Sequence, residues 1–160
     1  MMNRFLIMFA ILTMICAITA TADTADQVVI SVWVKQVGIE VNETSYSFGY
    51  MQFDAEKSTD TTRFKLTNSG NYNENIYVAA ETPNWTLGTT ASVDQMVLSI
   101  KTVGGNFTDW EPIADADNDL MVYDLAANSN ITFGLKVHSP TSATIFDRQW
   151  ITINLSAISM

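Results

Sequence analysis

The stretch "FKLTNSGNYNENIYVAA", Phe64 to Ala80, decides how the chain is read. Phe64 and Leu66 alternate with Lys65 and Thr67, and Ile76, Val78 and Ala80 alternate with Tyr77 and Ala79. A period of two puts one side of an extended chain indoors, so each flank is a half-buried strand. The knot between them holds four asparagines, a serine and a glycine. Asn68, Gly70, Asn71 and Asn73 tolerate the positive backbone angles that a reversal between Leu66 and Ile76 requires, so a loop joining adjacent strands is expected rather than a ligand site.

The same alternation extends in both directions. "QVVISVWVK" sets Val28, Ile30, Val32 and Val34 against Val29, Ser31 and Trp33, and "NITFGLKVH" sets Ile131, Phe133, Leu135 and Val137 against Thr132, Gly134, Lys136 and His138. "RFKLT", "DQMVLSIK" and "WITINLSA" follow suit, and no stretch after Ala22 carries a helical period. The clusters "LGTTAS", "VGGN", "DADND", "AANSN" and "HSPTSA" punctuate the runs as turns. Short strands so punctuated predict an all-β fold, an antiparallel sandwich of two sheets.

Ahead of these strands, Arg4 precedes "FLIMFAILTMICAITA", an uncharged apolar run too short for a comfortable membrane span, and then Ala20-Thr21-Ala22. This pattern predicts a signal helix over residues 1–22, cleaved after Ala22, with an uncleaved anchor as the competing reading. The single cysteine, Cys16, falls inside it after Thr13-Met14-Ile15, without the small preceding residue that lipid attachment prefers. Residues 23–160 then form one cysteine-free domain, secreted or held at the cell surface. The closing "WITINLSAISM" alternates as a strand and encodes no readable anchor.

Removing Arg4 leaves seven bases against seventeen acids. Such a surface repels phosphate, so nucleic acid and anionic membrane surfaces are poor partners.

The order "VNETSYSFGYM", "FKLTNSGNYNENIYV", "NWTLG", "LAANSNITFGLKVHSPTSAT" and "WITINLSA" resembles the immunoglobulin-like β-sandwich domains of exported prokaryotic surface proteins. The resemblance runs from about Val28 to Ala157. It implies an N-x-G-N hairpin at the knot and a place in envelope structures, surface layers or appendages, and it supplies no catalytic residue.

Among candidate sites, "DWEPIADADND" gathers carboxylates, and Asp115, Asp117 and Asp119 alternate as calcium ligands would. The loop lacks the glycine and the closing glutamate of an EF-hand, and a solvated acidic loop competes with an irregular Ca2+ site. Trp33 and Trp150 fall on the face opposite the apolar residues of their strands, available to stack on sugar or to bury against a subunit unless loops cover them. Trp85 and Trp110 are the other pair from which an aromatic platform could be built. Five glycosylation sequons stand at Asn42, Asn84, Asn106, Asn130 and Asn154. His138, the only histidine, abuts Ser139-Pro140 and reads as a turn-flanking surface residue.

These features predict a non-catalytic structural or interaction protein outside the cytoplasm, self-associating through the strand at residues 28–34 or binding another protein. A secreted carbohydrate-binding module is the alternative. A small secreted hydrolase is a third reading, and it would need two acids converging in a cleft.

Overall fold

The computed structural model describes residues 35–113 and 118–160, which form strands and no helix. In chain order these are β1 (Ile39–Val41), β2 (Glu56–Ser58), β3 (Phe64–Asn68), β4 (Glu74–Glu81), β5 (Thr86–Leu87), β6 (Gln95–Val103), β7 (Glu111–Ile113), β8 (Asp119–Leu125), β9 (Asn130–His138) and β10 (Thr152–Ser159). The alternating runs at 64–68, 76–80, 95–101, 130–138 and 152–157 are all strands, as their period demands. The segment at 28–34 and the signal segment at 1–22 lie outside the described residues.

Two sheets result. In the large one β9 is central, with β6 antiparallel along one side and β3, then β2, end to end along the other. β1 extends β3, β7 pairs with β6 antiparallel, and the short β5 adds to β6 in parallel. The small sheet is β10-β4-β8, antiparallel throughout.

Both sheets face one apolar core. Leu66 from β3, Leu98 and Ile100 from β6 and Phe133 from β9 meet Ile76 and Val78 from β4 and Met121 from β8, each at most 4 % exposed. Burying an aliphatic side chain of this size contributes roughly 1.5–3 kcal/mol, so this cluster is what selects the register of both sheets.

From β3 onward the chain alternates between layers: β4 is in the small sheet, β5 to β7 in the large, β8 in the small, β9 in the large and β10 in the small. The knot at 68–75 is therefore not the hairpin that the resemblance implied. It carries the chain from one sheet to the other. Leu66 and Ile76 are both fully buried, yet they belong to different layers, because each must turn its apolar side toward the same core.

Crossing between layers takes polar backbone through the edge of the core, and the knot satisfies it internally. Asn68, fully buried, donates from Nδ2 to the carbonyls of Tyr72 at 2.8 Å and Leu125 at 2.9 Å, and its Oδ1 accepts from Gly70 N at 2.8 Å. Glu74, also fully buried, accepts from Gly38 N at 2.9 Å through Oε1, while Oε2 is enclosed without a hydrogen-bond partner. Gly70 is glycine for reasons of space. A Cβ there would stand 2.3 Å from Glu74 Oε1 and 2.6 Å from the Gln36 carbonyl.

Candidate functional site

β10 is the first feature that sets this surface apart. Among the described residues it is an edge strand, paired to β4 over eight residues from Thr152 opposite Glu81 to Ser159 opposite Glu74 without a register shift. Its core-side residues Ile153, Leu155 and Ala157, with Ile151 before them, pack on the core yet are only half-buried, whereas their neighbours on β4, Ile76, Val78 and Ala80, are at most 1 % exposed. Ile158 and Met160 are more than half exposed.

The run "ITINLSAISM", 151–160, contains no charge and no proline. Other edges are guarded. β1 is three residues long with Glu40, β2 three with Glu56 and Lys57, β7 three with Glu111 and Pro112, and β5 only two. β8, across the small sheet, carries Asp119 and Asp124, has Asp124 at φ 55°, and shifts register twice against β4. Short strands, charges, proline and bulges all discourage edge pairing, and β10 has none of them.

The second feature is a groove on the outward face of the large sheet. Register places Glu56, His138 and Val97 side by side across β2, β9 and β6, and Ser58, Lys136 and Ser99 in the next row. Trp110, from the β6–β7 connection, stands over these rows with its ring centroid 5.8 Å from Lys136 Nζ. Thr89, Thr90 and Ala91 also line this open groove, whose volume is about 330 Å³.

The charges in the groove are paired with each other. Lys136 Nζ lies 3.6 Å from Glu56, and His138 sits between two carboxylates, Nε2 at 2.9 Å from Asp54 and Nδ1 at 3.7 Å from Glu56. A carboxylate only accepts, so Nε2 carries a proton and donates it to Asp54. His138 is therefore a half-buried bridging group rather than an isolated surface residue. Asp54, Glu56 and Lys136 were not singled out by sequence, because only the β2–β9 pairing brings residues 54–56 to residues 136–138. At the rim, Asp109 pairs with Lys101 at 3.5 Å, and its carboxyl is held below the usual range first by the Trp110 backbone N–H and then by Lys101.

The other expected residues scatter. Asp115 and Asp117 lie outside the described residues, and Asp119 opens β8 opposite Val78. Among the described residues no group of three or more histidine, cysteine or acidic side chains could hold a metal ion. Trp33 is outside the described residues. Trp150 is 59 % exposed, with the Arg148 guanidinium 4.0 Å from its ring centroid. Trp85 packs against the core and donates from Nε1 to the Ile145 carbonyl at 3.2 Å. It makes no ring contact with Trp110. Asn42, Asn84, Asn106, Asn130 and Asn154 are all exposed; the amides of Asn42, Asn106 and Asn154 are already spent on Arg63 O, Leu120 O and Glu81 Oε1.

No family model matches the chain, and no curated protein matches it. Among the described residues no helix is long and apolar enough to cross a membrane.

Proposed function

We propose that the protein is an exported interaction subunit, an immunoglobulin-like β-sandwich that acts by binding rather than by chemistry and is built into an envelope or extracellular assembly. The observation that carries this reading is β10: eight paired residues with one side of the ladder open among the described residues, no guarding charge or proline, and a row of apolar side chains left half-covered. An incoming strand would complete the ladder and cover Ile153, Leu155 and Ala157 in one step, which is how strand addition gains both affinity and specificity.

The occupant is the segment 28–34 of a second copy. Val28, Ile30, Val32 and Val34 offer the alternating apolar row that the half-covered stripe lacks, and Trp33 on the opposite side adds a large surface to bury. A strand from a neighbouring molecule is free to enter antiparallel, the more stable of the two ladders. Because donor and acceptor are different surfaces, the contact is head-to-tail, and open chains form where the rotation between copies does not close.

Size-exclusion chromatography and electron microscopy of residues 23–160, beside a variant lacking 23–34, test this. The expected outcome is extended oligomers from the longer chain and none from the shorter. A longer chain that elutes as a monomer at every concentration and shows no filaments contradicts the reading.

A further inference from the structure

We propose that the groove under Trp110 is a binding site for a neutral sugar ring. Ser99 points to it most directly. Ser99 is only 4 % exposed, it lines the groove, and its hydroxyl hydrogen-bonds to none of the described residues. The hydroxyl opens onto a space large enough for a ligand, where it can both donate and accept.

The electrostatics select the ligand's charge. Lys136 is paired with Glu56, and His138 faces Asp54 and Glu56, so an anion finds no uncompensated cation. Paired groups keep spare lone pairs and N–H bonds, the complement that a hydroxyl, at once donor and acceptor, can use. The chain's formal net charge of -9 further opposes an acidic sugar. Trp110 supplies the apolar wall against which the C–H face of a pyranose packs.

The size and rigidity agree. About 330 Å³ is near the lower end of ligand sites, which run roughly 300–1,000 Å³, and suits one or two rings rather than a long oligosaccharide. Glu56, Ser99, Lys136 and His138 stand on paired strands in fixed register, so the polar floor is set before any ligand arrives. None of these residues belongs to the β10 sheet, so the inference does not depend on the assembly reading.

Saturation-transfer NMR and calorimetry test it with glucose, galactose, mannose and N-acetylglucosamine, their disaccharides, and glucuronic acid as the charged counterpart. At least one neutral sugar should bind in the millimolar range or tighter. Ser99→Val and Trp110→Ala should each weaken it by about tenfold or more, the scale of one lost contact. If Trp110→Ala melts early, Trp110→Phe with Ser99→Val carries the comparison. Binding should persist in a variant altered only on β10. Absence of binding by every neutral sugar, tighter binding of glucuronic acid, or affinity unchanged in both groove variants would overturn the proposal.

Discussion

Lys35 Nζ donates to the main-chain oxygen of Met160 at 2.7 Å, so the first described residue is fastened to the last, at the end of β10. The same ammonium lies 5.2 Å from the centroid of Tyr72, in the knot that joins the two sheets. Lys35 is therefore tethered just beyond the end of β10.

The knot should be sensitive to small changes. Gly70→Ala places a methyl group against a backbone carbonyl that cannot swing away, and should cost about 1–3 kcal/mol. Glu74→Ala strands Gly38 N–H and should cost a similar amount, while Glu74→Gln keeps the Oε1 acceptor and should cost about 1 kcal/mol less. Urea unfolding of the three variants orders them.

Acid stability should depend on Asp94. Its carboxylate accepts from Thr144 Oγ1 at 2.5 Å and Thr144 N at 2.7 Å, and the hydroxyl first, then the backbone N–H, hold its pKa below the ordinary value. A lowered folded-state pKa contributes stability that is present above the unfolded value, near pH 4, and is lost as pH falls through the folded value. Thr144→Val should therefore melt below wild type at neutral pH, and the gap should close on acidification. Melting curves from pH 7 to about pH 2 show whether it does.

Export makes a separate prediction. If the chain is exported as proposed, the short apolar run and Ala20-Thr21-Ala22 predict that secreted material begins at Asp23, and intact-mass analysis checks it. A mass that retains residues 1–22 contradicts it.

The positions of β3, β4, β6, β9 and β10 were legible because the pattern that makes a strand is local, whereas β8 was not read as a strand. Ile131, Phe133, Leu135 and Val137 declare their buried side without reference to any other segment, and all four are core residues. Layer assignment was not legible. Leu66 and Ile76 show identical periodicity whether their strands pair with each other or face each other across the core, so a hairpin and an inter-sheet crossing look alike in "NSGNYNEN". The groove was hidden for the same reason. Lys136 and His138 were readable as outward residues of β9, but Glu56 sits in a three-residue strand with no alternation to betray it, and Trp110 reaches the site from a connection. The openness of β10 could have been suspected from "ITINLSAISM", where a long uncharged strand stands without a guard, though only the topology shows that it is an edge among the described residues.

Native mass spectrometry of residues 23–160 beside the double variant Ser156→Lys, Ile158→Lys tests the role of β10 most directly. Both positions are exposed, so the new charges guard the edge without entering the core. The wild-type chain should give an open ladder of dimer, trimer and longer species that grows with concentration, and the variant should give monomer with an unchanged melting curve. A wild-type chain that remains monomeric, or a variant that assembles as well as the wild type, contradicts assembly through β10.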